Sequence, residues 1–574
     1  MGARAEAGSF TAPEAPNQRR YEALRAYFVE GASAQQVAER FGYARSTVET
    51  LVRDHRAGRL SLFASSRPGP RSAPRSGRAR DLVLALRRAG RSLAEIERAT
   101  KEAGRPLGRT AIWELCAEAG LGRLEEVDPQ SGEPVAVAPK ARPLEAGEWP
   151  TEGALASEHA GLFLLVPELV ELELEALVSA AGYPRTSQLP ALHSVLSLLA
   201  LKLYGRRRRS HVQDVVHDPA LGLYCGLRAL PKRSHLSGYS YRIERAQNEA
   251  LLAALVPRQR AAGLLGEGRD FNLDFHAIMS YGSDEGLEEH YVPRRSQRTR
   301  SVLSFFAQDG SERTLCYANA DLAKAEAARE VIRFCEFWQR SAGELPRLLV
   351  FDSKLTTHAE LAELDRRGVG FITLRRRGGK LMERIAALPE EAWQPVRLDR
   401  PGKHRNVKAA ESEVELSGRS FRQLAVSGLG REQPTLVLTN RRELSAKQLV
   451  ERYAQRWLIE NGLAHQIRAF HLDCLASQVP LAVDLDTTLS VLCDSVYRHF
   501  ARTIQNGYAT AAAETLFRHF ITAPGELRFG PEGVKVMLRS RAHTPVLLDA
   551  GYEERRVAVP WWEGRELSFS FKPA

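Results

Sequence analysis

The chain has 574 residues, 44% of them hydrophobic, and its 81 Lys+Arg against 70 Asp+Glu leave a formal net charge of +11. That length predicts three or four domains, and the basic balance points to a polyanionic partner. Six scattered cysteines without a Cys-x-x-Cys pair argue against a disulfide framework and against a zinc finger, and suit a reducing cytoplasm. No apolar run reaches the roughly 18 residues of a membrane span, and the first twenty residues lack the apolar segment of a secretory signal. Within residues 1–124, 22 Lys+Arg stand against 13 Asp+Glu, so nine of the eleven excess charges sit in the first fifth of the chain. A localised basic excess is the electrostatic footprint of a nucleic-acid binder.

Residues 1–60 read as three short helices. The first runs from about Arg19 to Glu30, Ser33 caps the second, Gly42 makes the turn, and ARSTVETLVRDHR is the third. Val37, Ala38, Phe41, Val48 and Leu51 fall at core-facing helical spacings. A helix, a Gly-containing turn and a polar helix make a helix-turn-helix pattern, which predicts that Arg45, Ser46, Thr47 and Thr50 face a DNA groove. Residues 61–80 are a basic arm: the stretch 55–80 has seven arginines and no acid, and Pro-bracketed Arg67 and Arg71 suit a minor groove. Residues 81–124 repeat the helical theme, with Ser92 as a cap and Arg109 and Thr110 opening a second recognition helix. Residues 125–157 are a Pro/Glu/Gly-rich linker and 158–268 a helical DNA-binding or bridging region, with the basic run GRRRRSH at 205–211.

From residue 269 the pattern changes to strands. In FNLDFHAI, Asn272, Asp274 and His276 share one face and Phe271, Leu273, Phe275 and Ala277 the other. An Asp inside an apolar strand is costly unless a cation or hydrogen bonds compensate it. SVLSFFAQ and RTLCYAN complete an antiparallel meander, and a long helix leads to PRLLVFDSK, a buried strand with Asp352 at its end. A helix and the strand VGFITLRRR close this first part of the core at 377. Residues 378–443 alternate in β fashion, and 444–505 begin with SAKQLVERYAQRWLIENGLAHQIRAF, read as one helix carrying Tyr453, Arg456 and Glu460 on a single stripe. Residues 506–574 form a C-terminal region in which Trp561 and Trp562 pack a small β tail onto the body. The run Arg375–Arg377 reads as a phosphate-facing patch beside this core, and Lys354 as a solvated lysine in preference to a DNA contact.

Three carboxylates far apart in sequence suit two-metal phosphodiester chemistry, in which paired Mg²⁺ ions about 3.5–4 Å apart flank the scissile phosphate. Mg²⁺ takes oxygen ligands. Asp274, Asp352 within VFDSK and the segment LTNRRELSAKQLVERYAQRWLIE closely resemble the cut-and-paste DDE transposases of bacterial insertion sequences, in particular the IS-four type with its Tyr-x2-Arg-x3-Glu signature. The resemblance covers about residues 225–500, and the Tyr-Arg-Glu segment is its most specific part. It implies an α/β, RNase H-like catalytic core with a β-rich insertion, preceded by all-α helix-turn-helix modules. It also implies that Asp274, Asp352 and Glu460 are catalytic metal ligands for two Mg²⁺ ions, replaceable by Mn²⁺, and that Tyr453 and Arg456 contact DNA. The implied partners are double-stranded DNA, as terminal inverted repeats and as target, and a second copy of the chain on that DNA, at the bacterial nucleoid. The family signature continues with a Lys seven residues past the Glu; here that position is Ile467, and Arg468 (or His465) is the candidate substitute, Arg468 being always charged. His276 is either a satisfied core histidine or a contact to the scissile phosphate. Two other functions stay open at this point: a non-catalytic DNA-binding regulator, and a nuclease of the same core that cleaves without joining.

Overall fold

The computed structural model describes residues 13, 15–60, 62, 77–121, 140–267, 269–280, 287–292, 297–400, 403–430, 432–472, 474 and 479–572. The basic arm's Arg67 and Arg71 lie outside the described residues. The chain is a mixed α/β protein that divides into two compact units, Met1–Val137 and Ala138–Ala574.

The first unit holds two sets of three helices: α1 (Pro16–Phe28), α2 (Ala34–Phe41) and α3 (Arg45–Arg56), then α4 (Arg78–Arg88), α5 (Leu93–Glu102) and α6 (Arg109–Glu118). Each set has its own apolar core, built around Leu24, Val37, Phe41 and Val48 in the first and Val83, Ile96, Ile112 and Leu115 in the second. The middle helix of each set starts in the same way. Ser33 and Ser92 cap it, and Gln36 and Glu95 reach back to the capping residue's backbone N–H. Gly42 ends α2 at φ +67°, a left-handed conformation that favours glycine and lets α3 turn back across α2.

The second unit begins with β1 (Ala154–Ser157) and the helices α7 (Val166–Glu171), α8 (Leu174–Ala181), α9 (Ala191–Leu203), α10 (Pro219–Tyr224), α11 (Arg233–Ser240) and α12 (Arg245–Ala261). There follow β2 (Asp270–Met279), β3 (Glu289–Val292), β4 (Gln297–Asp309), β5 (Leu315–Asn319), α13 (Glu330–Ala342), β6 (Leu348–Phe351), α14 (His358–Arg366) and β7 (Gly370–Leu374). Then come α15 (Gly379–Ala386), β8 (Gln394–Arg400), β9 (Lys403–Leu416), β10 (Arg419–Ser427), β11 (Thr435–Thr439), α16 (Ala446–Ala454), α17 (Trp457–Phe470) and α18 (Pro480–Ile504). The chain closes with α19 (Ala513–Leu516), β12 (Gly525–Phe529), β13 (Gly533–Arg539), α20 (Thr544–Asp549), β14 (Arg556–Ala558) and β15 (Glu566–Lys572).

The main sheet runs β3-β4-β2-β6-β7-β11-β10-β9-β8, with β5 also paired to β4. β2 is antiparallel to β4 and parallel to β6, and β6 is parallel to β7. β6 is apolar and buried along its whole length, as a parallel strand covered on both faces must be. α13 packs Phe334 and Trp338 against Phe271 of β2, the Phe271–Trp338 ring centroids lying 4.5 Å apart. Strands β8–β11, expected as an insertion, prolong this same sheet: β11 pairs antiparallel with β7.

Two sequence expectations change. The segment after Ser445 is not one helix. It divides into α16 and α17 at Gln455–Arg456, where the Arg456 N–H donates to Tyr453 O, three residues back. Neither Gly nor Pro stands at the break. The second change concerns residues 125–157, read as linker throughout. Their end forms β1, which opens a second sheet, β1-β12-β13-β15-β14, with the C-terminal region. Trp561 and Trp562 seat that sheet as expected: Trp561 Nε1 donates to Tyr224 O at 2.9 Å, and Trp562 packs on Trp149 and Phe163. Among the described residues, no helix is long and apolar enough to cross a membrane.

Candidate active site

Leu273 of β2 and Phe351 of β6 are register partners on neighbouring parallel strands. Asp274 is the next residue on β2 and Asp352 the first residue after β6, so the two carboxylates leave the sheet from adjacent places at the end of this pairing. The sequence separates them by 78 residues; the parallel crossover through α13 closes that gap. Asp274 Oδ1 accepts from the Phe275 N–H at 3.0 Å, and Asp352 Oδ1 accepts from the Ser353 N–H at 2.7 Å.

α16 and α17 bring cationic and phenolic groups to this pair. Arg456 Nη1 donates to Asp274 Oδ2 at 3.4 Å, with both side chains largely buried. The Arg456 guanidinium also lies 5.8 Å from the centre of the Tyr453 ring. Burial pushes the Tyr453 hydroxyl up to about 12; Arg456 opposes this, and Asp352 and Asp274 add to it. Tyr453 is therefore neutral near pH 7 and keeps its proton to donate. Asp352, Lys354, Tyr453 and Arg456 line an open cavity of about 1160 Å³. Arg313, held at φ +60° in the β4–β5 turn, lines it from the other side.

Glu460 lies on α17, one helical turn past Arg456, and its side chain lies outside the described residues. The helix that carries it is packed tightly on the main sheet. Ile459 and Leu463 are buried, and a Cβ at Gly462 would come within 2.5 Å of Gln308 Nε2 of β4. Sequence reasoning missed a clamp that ties the preceding helix, α16, to β2. Arg452 of α16 donates from Nη1 to Asn272 Oδ1 at 2.8 Å, and Asn272 is fully buried two residues before Asp274. Burial pulls the Arg452 guanidinium below its ordinary value, partly offset by Asp270 and Asp309. The available signal was Asn272 itself, a second polar residue on the Asp274 face of an apolar strand.

Other predicted residues fall elsewhere. Arg468 is exposed and engaged with Glu514 of α19 at 3.1 Å and with His465 Nδ1 at 2.8 Å, away from the Asp352 cavity. Ile467, at the position of the family's lysine, is buried. His276 stays on the Asp274 face of β2, half-buried. In the first unit, Arg45, Ser46, Thr47 and Thr50 are exposed at the start of α3, and Arg109 and Thr110 are exposed at the start of α6. Arg45 pairs with Glu49 at 2.9 Å, Arg109 with Glu97 at 2.7 Å, and the Thr50 hydroxyl donates to Ser46 O. Exposed ion pairs of this kind are worth only about 0.2–1 kcal/mol, so a phosphate can displace them.

A different group of potential ligands lies away from these residues. Glu168 and Glu171 of α7 meet His499 of α18, with His499 Nδ1 2.8 Å from Glu168 Oε2. Arg555 Nη1 and the Tyr552 hydroxyl also donate to Glu168, and Arg555 pairs with Glu171. Glu168 is fully buried and both its oxygens are engaged, Oε1 by Tyr552 and Arg555 and Oε2 by His499, so the cluster is an ion-pair network as it stands. Compared with known protein families and with curated proteins, the chain matches none.

Proposed function

We propose that the protein is a DNA transposase that cuts element ends and joins them to target DNA at a carboxylate metal site. One observation carries the reading: Asp274 and Asp352 each follow the register pair Leu273–Phe351 of two neighbouring parallel strands, with Arg456 bonded to Asp274 and Tyr453 beside Asp352 in one cavity. The order β5-β4-β2-β6-β7, antiparallel in its first three strands and parallel in its last two, fits the RNase H-like core expected from the sequence. The exposed polar starts of α3 and α6, each third in a three-helix set, fit helix-turn-helix modules.

Asp274 and Asp352, joined by Glu460, would hold the divalent ions. The all-oxygen donor set suits Mg²⁺. Bound there, the ions would supply an activated water or 3′-OH and stabilise the leaving oxygen. The chain's own residues do the positioning. Arg456, bonded to Asp274, would bring its positive charge to a phosphate oxygen at the same place. Tyr453 offers a hydroxyl proton beside the same phosphate. The Arg452–Asn272 bond fixes α16 against β2 and so sets the approach of both.

Asp352→Asn tests the reading on DNA taken from the two flanks of the gene. Mg²⁺-dependent nicking should fall by more than about 100-fold, with DNA binding and thermal stability close to wild type. Nicking at the wild-type rate would overturn the assignment.

A further inference from the structure

A second cavity, of about 430 Å³, opens beside the loop that carries Asp352. Ser353 and Thr356 of that loop, His358 at the start of α14, and Thr373, Arg375 and Arg376 at the end of β7 line it among several leucines. It shares Leu374 with the first cavity. Val350 pairs with Ile372, so Asp352 lies level with Leu374, and Thr373, one residue earlier, points to the opposite face.

Two independent features mark this cavity for an anion. The first is Thr373, which is 1% exposed and whose Oγ1 has no hydrogen-bond partner among the described residues. A buried hydroxyl without a partner is unfavourable, and the strand gains nothing from it. The second is charge. Arg375 Nη1 donates only to the neutral Gln423 side chain, at 2.6 Å, and Arg376 is exposed. Burial and the neighbouring Arg384 both pull the Arg375 guanidinium down. Among the described residues, none of Arg375, Arg376, Arg377 and Arg384 forms a salt bridge. The first-turn amides of α14 add partial positive charge, partly offset by the Glu360 carboxylate, which the N–H and hydroxyl of the lining residue Thr357 hold at the helix start.

We propose that this cavity is a phosphate subsite, in which Thr373 Oγ1 and the Arg375 and Arg376 guanidiniums take the oxygens of one phosphate group. The inference rests on the transposase reading for its source: a backbone phosphate of the DNA strand that passes Asp352. A free phosphate offers the same chemistry.

The test uses the full chain without divalent metal, so loss of catalysis cannot mimic loss of the subsite. Wild type, Thr373→Val and Arg376→Gln are titrated with a fluorescent random-sequence duplex across a salt series. In parallel, unfolding midpoints are measured with inorganic phosphate against chloride at matched ionic strength. Arg376→Gln should lower the salt slope by about 0.9, one phosphate contact. Thr373→Val, which keeps shape and removes the hydroxyl, should weaken duplex binding about fivefold at an unchanged slope. Phosphate should raise the wild-type midpoint, and Thr373→Val should blunt that rise. Wild-type affinity and slope in both variants, with no phosphate effect, would overturn the subsite. If the wild type binds no duplex, the transposase reading fails, and the phosphate arm decides the subsite alone: a rise lost in Thr373→Val supports a free-phosphate site, and no rise overturns it.

Discussion

Asp484 is fully buried on α18 and accepts from Arg245 Nη1 at 3.0 Å, Asn248 Nδ2 at 2.8 Å and the Ala320 N–H at 2.7 Å. It ties α12 and the end of β5 to α18, joining the helical layer to the main sheet. Removing it strands a buried guanidinium, so Asp484→Ala should cost about 3–5 kcal/mol in chemical denaturation. A loss under 1 kcal/mol, within the range of an exposed pair, would mean that water replaces the pair. The sequence did not reveal this residue. Asp484 and Asp486 stand two apart in one apolar segment, and the partner Arg245 lies 239 residues away. Asp274 was legible for the opposite reason: a lone acid in an alternating apolar strand announces a compensating charge by itself. Thr373 gave no such signal, because a threonine in a strand satisfies ordinary β propensity and only the packed structure leaves its hydroxyl without a partner.

Helices and strands were read mainly where periodicity is local. The capped helices of the first unit start where Ser33 and Ser92 place them. β2 and β4 to β7 follow their apolar runs, whereas β3, the short segment EHYV, was not expected. Edges between distant strands were not legible, because register with a remote partner leaves no mark on the local pattern. That is why β1 was hidden in a linker and why the insertion strands were not expected to extend the main sheet. The break between α16 and α17 was hidden as well. One long-range clasp of this kind makes a pH prediction. Burial alone would pull His499 down, but its hydrogen bond to Glu168 and the charges of Glu168 and Glu171 outweigh that and raise it above its ordinary value. A raised folded-state value means the clasp stabilises fully below about pH 6.5 and loses its effect as pH rises through the folded value. Unfolding midpoints should therefore fall as pH rises above about 6.5, and His499→Gln should flatten that fall. A wild-type midpoint that rises over the same interval, with the variant unchanged, would contradict the clasp.

At the scale of the whole molecule, nine of the eleven excess positive charges fall within residues 1–124, whereas Asp274 and Asp352 belong to the main sheet region of the second unit. The proposed chemistry requires Asp274 and Asp352, with Glu460 of α17, to gather divalent cations against DNA. Anomalous diffraction from crystals of the full chain grown with Mn²⁺ and duplex DNA tests this. Manganese peaks should lie in contact with both the Asp274 and Asp352 carboxylates. Peaks confined to other sites, such as the Glu168–Glu171–His499 cluster, with none between the two aspartates, would contradict that chemistry.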